Sequence, residues 1–120
     1  MIQLNTLLSV IDNSGAKTSK CIKIMGGSSS GTIGDICVVS TQKVIANRKI
    51  QSGEVHRALI VRQKKNKQRK DSSFISFSKS SVVLLNSKNV PIGSRIFGLL
   101  PRELRRKKFM KIISLSQGII

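Results

Sequence analysis

The run Val55-His56-Arg57-Ala58-Leu59-Ile60-Val61-Arg62-Gln63 decides the fold of this chain. Its apolar residues do not alternate strictly, since Ala58, Leu59, Ile60 and Val61 are continuous. A continuous apolar run of this length predicts a strand buried on both faces near its middle, with Arg57 and Arg62 emerging at its ends. Similar β-branched runs recur at Leu7–Ile11, Cys21–Met25, Ile36–Ser40, Phe74–Phe77, Val82–Leu85 and Arg95–Leu99. Short strands separated by turn clusters at this spacing predict a mainly β protein, either a small barrel or a sandwich.

The punctuation has its own chemistry. Asp12-Asn13-Ser14-Gly15 suits an Asx or type I turn with Gly15 free to take a positive φ. Gly26-Gly27-Ser28-Ser29-Ser30-Gly31 reads as a mobile loop without β propensity, and Asn89-Val90-Pro91-Ile92-Gly93 as a turn into the next strand. Helix is expected only near the C-terminus, where Pro101 suits a first helical position and Glu103 complements the positive end of the helix dipole. One helix from there to Ile113 would carry no continuous apolar stripe. Phe109, Ile112 and Ile113 do fall at i, i+3 and i+4, so two short helical pieces are predicted, with an exposed cationic break near Lys107 and Lys108.

With 120 residues the chain is expected to form one domain, a barrel over roughly residues 1–100 and a short-helix region over roughly 101–120. No window reaches the ~18 apolar residues of a membrane span, and the start MIQLNTLLSVIDNSG lacks the cationic onset and cleavage site of a signal peptide, so a soluble chain without a visible import address is expected. Cys21, Cys37 and the single His56 cannot complete a four-ligand zinc site, which leaves the cysteines as small apolar strand residues of a reducing compartment. No metal and no cofactor are expected.

Charge is the stronger signal. The 22 Lys and Arg residues against 5 acids give a net +17, and a compact domain at that charge calls for a polyanionic partner, nucleic acid ahead of a heparin-like or membrane surface. The cations cluster. Lys43, Arg48 and Lys49 flank a strand end; Arg62, Lys64, Lys65, Lys67, Arg69 and Lys70 form a loop-like run; Arg102, Arg105, Arg106, Lys107 and Lys108 lie in a segment, residues 91–113, whose only acid is Glu103. Together with Lys17 and Lys20 these are the candidate phosphate contacts. A charge run is often just a solvated face, but three such clusters with so few acids favour phosphate contact. The chain has no Trp or Tyr, so stacking platforms for single strands are missing, and Phe74, Phe77, Phe97 and Phe109 read as core. Phe97→Asp and Ile112→Asp are therefore both expected to unfold the C-terminal region. Structured RNA or duplex, read through backbone and shape, is the partner class that fits.

Other chemistry finds little footing. The loop Gly27–Gly34 lacks the Gly-Lys-Ser/Thr ending of a nucleotide-binding loop, and Asp35-Ile36-Cys37-Val38-Val39 behind it reads as strand, not as the helix such a loop needs. His56 has only Glu54 nearby, and neither cysteine has an activating partner, so catalysis, and with it a small-molecule substrate, is not expected.

The residues also carry a resemblance. Met1-Ile2-Gln3, Asp12-Asn13-Ser14-Gly15-Ala16, Cys21-Ile22-Lys23, Gly34-Asp35-Ile36, Arg57-Ala58 with Ile60-Val61-Arg62, and Val83-Leu84-Leu85-Asn86 follow one another in order. Pro91-Ile92-Gly93-Ser94-Arg95-Ile96-Phe97-Gly98, Arg102-Glu103-Leu104-Arg105 and Lys108-Phe109-Met110-Lys111-Ile112-Ile113-Ser114-Leu115 complete the series. In this pattern the chain resembles the universal large-subunit ribosomal protein family L-fourteen, in its bacterial and organellar form. The resemblance implies a five-stranded β-barrel with a projecting β-ribbon and short C-terminal helices. It further implies binding to large-subunit ribosomal RNA, contact with small-subunit RNA through an intersubunit bridge, and a neighbouring protein of the L-nineteen family. A ribosome silencing factor is implied at a C-terminal surface onto which Ser94, Arg95 and Lys111 map.

The chain departs from that pattern at Ser28–Ile33, where relatives carry basic and aromatic residues, and at Asp71-Ser72-Ser73, where the usual turn is Asp-Gly-Ser. Ser78 and Lys107 stand at acidic positions, and Ser116-Gln117-Gly118-Ile119-Ile120 lacks the usual Pro-Glu. Its richness in Ser, Ile, Lys and Asn fits an AT-rich genome, so a mitochondrial ribosome is expected, with bacterial cytoplasm or plastid as alternatives. From the residues alone, a free RNA-binding factor of small β-barrel fold is the alternative to a ribosomal constituent.

Overall fold

A computed structural model describes residues 2–26, 29–46, 48, 50–105 and 109–120. Five strands close a barrel: β1 (Leu7–Val10), β2 (Ala16–Ile24), β3 (Ile36–Val44), β4 (Val55–Arg62) and, after a two-stranded ribbon, β7 (Ser81–Leu85). Neighbours run antiparallel except at the seam, where Ser9 and Val10 of β1 pair in parallel with Ser81 and Val82 of β7. The ribbon is β5 (Lys67–Gln68) against β6 (Phe74–Ile75). Beyond the barrel follow β8 (Leu99–Leu100), a 3₁₀ turn at Arg102–Leu104, helix α1 (Met110–Leu115) and β9 (Gly118–Ile119), the last pairing in parallel with β8.

The uninterrupted apolar run of β4 follows from two cores on its two faces. Ala58 and Ile60 point into the barrel with Val82 and Leu84 of β7, Leu8, Cys21, Ile24, Cys37 and Val39. Leu59 and Val61, with Val83 and Leu85, point outward into a second cluster completed by Ile96, Leu100, Leu104, Phe109 and Ile112. The period-2 geometry of a strand thus places adjacent apolar residues in different cores. The C-terminal segment is the lid of the outer one. Burying a side chain of the size of Leu or Phe stabilises by roughly 1.5–3 kcal/mol, so this packing, more than helix propensity, holds the short 3₁₀ turn and α1 in place.

Several boundaries differ from the sequence reading. Strands β2 and β3 are longer than Cys21–Met25 and Ile36–Ser40, because polar Ser19 and Thr41 occupy buried positions and Lys17, Lys20 and Lys43 lie beside them, which masks the apolar alternation. Arg95–Leu99 is not a strand: Ile96 makes one bridge to Asp12, and Gly98 at φ 81 breaks the extended backbone before β8. Strand β6 stops at Ile75, short of Phe77. Pro101, at φ −73 and ψ 152, caps the 3₁₀ turn instead of opening it. Gly31, expected in a featureless loop, bridges Ile2 through hydrogen bonds of 2.8 and 2.7 Å. A Cβ there would lie 2.9 Å from Ile60 Cδ1 and 3.3 Å from Ile24 Cδ1, so a side chain at this position would require those core residues to shift.

The phenylalanines divide. Phe109 is buried and Phe77 packs against the outer core, whereas Phe74 and Phe97 are 64% and 47% exposed and are not core. Phe74 sits on the two-stranded ribbon beside buried Ile75, and strand alternation turns it to the opposite, exposed face. The two predicted helical pieces are present, and the cationic break between them, Arg106, Lys107 and Lys108, lies outside the described residues. The Gly15 turn forms as expected: Asp12 Oδ1 accepts from Ser14 N at 3.2 Å, and Gly15 has φ 117. In the ribbon turn Ser72 takes φ 70, the left-handed position that suits glycine.

Candidate nucleic-acid interface

The five acids are each engaged by a near neighbour. Asp12 is buried and accepts from Ser14 Oγ at 2.5 Å and Leu84 N at 3.2 Å; burial pushes its carboxyl above the ordinary carboxylate range, against those hydrogen bonds. Asp35 accepts from Thr32 N at 2.8 Å, and Glu54 meets His56 Nε2 at 2.8 Å. Asp71 accepts from Ser73 N and Oγ at 3.1 and 2.6 Å, and those bonds hold its carboxyl below the usual range. Glu103 takes Arg69 Nε at 2.6 Å, the one Lys or Arg ion pair with a carboxylate among the described residues. Apart from Arg69, the described Lys and Arg side chains therefore have no carboxylate within ion-pair distance.

The barrel wall carries the first group. Lys17 and Lys43 are exposed on β2 and β3 beside the register pair Thr18 and Lys43, and Lys20 is half-buried further along β2. The next loop folds back onto the Gly15 turn: Ile45 N donates to Gly15 O at 2.7 Å, and the Arg48 side-chain stem lies over Gly15 so closely that a Cβ there would collide with it. Lys17, Lys43 and Arg48 thus gather around one end of the β2–β3 pair. Lys49 lies outside the described residues.

The ribbon carries the second group, and not all of its cations are free. Arg62, predicted to emerge as a phosphate contact, turns inward: its Nη2 donates to Phe97 O and Leu99 O, both at 3.0 Å, Nε donates to Leu99 O at 3.1 Å, and its guanidinium lies 5.7 Å from the Phe77 ring centre. Desolvation lowers its pKa from the ordinary arginine value. Lys67 Nζ donates to Ile33 O at 3.3 Å, and Arg69 Nη2 to Ile120 O at 2.8 Å. Lys64, Lys65 and Lys70 are exposed, as are Arg102 and Arg105 of the C-terminal group.

Ser94 and Arg95 are exposed and held by Asn13, a residue read from sequence only as part of a turn. Asn13 Oδ1 accepts from Ser94 N at 2.8 Å and Arg95 N at 3.1 Å, and its Nδ2 donates to Ser94 Oγ at 3.0 Å. Ile96 N donates to Leu115 O at 3.3 Å, which brings this segment against the helix that carries exposed Lys111. Nothing in local sequence announces a contact across 81 residues. Lys23, Lys79 and Lys88 are further exposed cations that clustering along the chain did not pick out.

The two cysteines stand apart from this surface, free and buried in the barrel core, with burial the main cause that pushes Cys37 up to about 12. A closed five-stranded barrel lidded by a C-terminal segment, with cations left uncompensated over its wall and ribbon, defines a small, strongly basic β-barrel protein. The family is specific: residues 1–120 match the family described as Ribosomal protein L14p/L23e, and the chain belongs to it. It is a structural ribosomal protein.

Proposed function

We propose that this protein binds large-subunit ribosomal RNA through its barrel wall and ribbon and takes part in an intersubunit bridge. The observation that carries the reading is the charge arrangement: net +17, with one carboxylate spent on a Lys or Arg side chain among the described residues. Phosphates are the natural counterions for such a surface, and phosphate contacts fix position without reading sequence. Lys17, Lys20, Lys43, Arg48, Lys64, Lys65, Lys67, Lys70, Arg102 and Arg105 supply the described contacts, and Lys49, Arg106, Lys107 and Lys108 complete the set. Arg62 and Arg69 act first as internal struts, bonded to Phe97, Leu99, Glu103 and Ile120.

Ser94, Arg95 and Lys111 form the docking surface for a protein partner, the silencing factor implied by the family resemblance, while a member of the L-nineteen family packs alongside. The mitochondrial ribosome is the proposed location. The test is purification of ribosomal particles and cross-link mapping of this chain. Co-sedimentation with the large subunit through moderate salt, with cross-links to its RNA, is expected. An exchangeable pool that leaves the particle with a steep salt dependence would instead indicate a free RNA-binding factor.

A further inference from the structure

An open cleft of about 430 Å³ separates the ribbon from the 3₁₀ turn, lined by Lys67, Gln68, Arg69, Lys70 and Asp71 on one side and Arg102 and Glu103 on the other. That volume suits a small ligand or a single extruded unit, not a helix. Both acids are already satisfied, Glu103 by Arg69 and Asp71 by Ser73. Arg69 and Lys67 are engaged too, by Ile120 O and Ile33 O. Lys70 and Arg102 are exposed and among the described residues neither side chain makes a hydrogen bond or close ion pair, although Arg102 lies near enough to Asp71 to help hold its carboxyl down.

The walls are held before anything binds. The Gln68 and Phe74 pairing fixes the ribbon, and the Arg69–Glu103 ion pair fixes the distance between ribbon and turn, which reduces the ordering cost of binding. Aliphatic stems of Lys67, Lys70 and Arg102 give the lining an apolar character between their charged ends. Among the described residues no aromatic side chain lines the cleft, so they offer no platform on which a base could stack.

We infer that this cleft takes one backbone phosphate of RNA together with its ribose, Lys70 and Arg102 meeting the phosphate while the aliphatic stems cover the sugar. The inference rests on the RNA-binding function proposed above and assigns it a discrete seat. A benzophenone side chain placed at Gln68 of the full chain, in purified ribosomal particles, should capture RNA. The double variant Lys70→Ala with Arg102→Ala should lower the slope of log affinity against log salt, measured on deproteinised large-subunit RNA, by about 0.7 to 0.9, the share of one phosphate. Should that variant fail to fold, Lys70→Gln alone carries the slope measurement. Capture of protein or of nothing at Gln68, or an unchanged slope, overturns the cleft. Ultraviolet cross-links from the unaltered chain separate the two levels: RNA captured elsewhere but not at Gln68 removes the cleft alone, and no RNA captured anywhere removes the RNA-binding function with it.

Discussion

Arg69 and Glu103 meet at 2.6 Å with their side chains only 15% and 22% exposed, so one ion pair joins the ribbon to the 3₁₀ turn. The same guanidinium donates to Ile120 O at 2.8 Å, and one side chain thereby ties together ribbon, turn and the end of the chain. Glu103→Ala leaves that guanidinium half-buried without its carboxylate and is expected to cost about 1–3 kcal/mol. The urea midpoint should fall at unchanged slope; a midpoint equal to that of the unaltered protein would mean the pair contributes nothing.

Arg62 and Gly98 give a second test. Gly98 has φ 81 and a Cβ there would run into the Arg62 guanidinium, whereas Gly34 has φ 96 and open space around it. Gly34→Ala should cost about 1–2 kcal/mol, the left-handed backbone term alone. Gly98→Ala should cost more, and pairing it with Arg62→Ala should recover the excess in a double-mutant cycle. Equal costs at the two glycines would argue against a packed Arg62.

Phe97 and Ile112 are expected to behave in opposite ways. Ile112 is 1% exposed in the outer core, so Ile112→Asp buries an unpaired charge and should unfold the C-terminal segment. Phe97 is 47% exposed, and Phe97→Asp should leave the fold standing, contrary to the expectation from sequence. Circular dichroism and proteolysis of the two variants decide this.

Asp12 imposes a pH dependence of definite sign. Its folded pKa is raised above the ordinary 3.8 by burial, so the native state holds this proton more tightly than the unfolded chain. The resulting contribution to stability is fully present below 3.8 and is lost as pH rises through the folded value. Asp12→Asn removes that titration. Urea unfolding from pH 3 upward should show the unaltered protein losing stability relative to the variant as pH rises, and a constant difference would rule out the shift.

Cys37, pushed up to about 12 and buried beside Cys21, should resist alkylation at pH 8 in the folded protein. Mass spectrometry after iodoacetamide treatment should find both thiols unmodified until denaturant is added. Rapid labelling of the native chain would indicate that the barrel opens.

Much of the barrel was legible in the sequence because its strands announce themselves by content. The run through Ala58, Leu59, Ile60 and Val61 required burial on both faces, and the two cores on β4 meet that requirement. The Gly15 turn and the two short helical pieces were legible for the same reason: Asx chemistry, positive φ and an i, i+3, i+4 spacing are local properties. Boundaries were lost where polar Ser19 and Thr41 stand at buried positions and hide the alternation, as along β2 and β3, or where Gly98 broke a run that composition presents as strand.

The candidate site divides along the same line. Sequence alone determined that this chain carries far more cations than acids, in clusters, on a small β framework, since charge and apolar period are properties of residues in order. It could not determine which cations are free. Arg62 and Arg69 were counted with the phosphate contacts, yet their partners are Phe97, Leu99, Glu103 and Ile120, 34 to 51 residues away. Asn13 acquired its role by holding Ser94 and Arg95 across the fold. Only the tertiary structure made these assignments, because a guanidinium or an amide is committed by whichever carbonyl or carboxylate the closed barrel and its lid bring within hydrogen-bond reach.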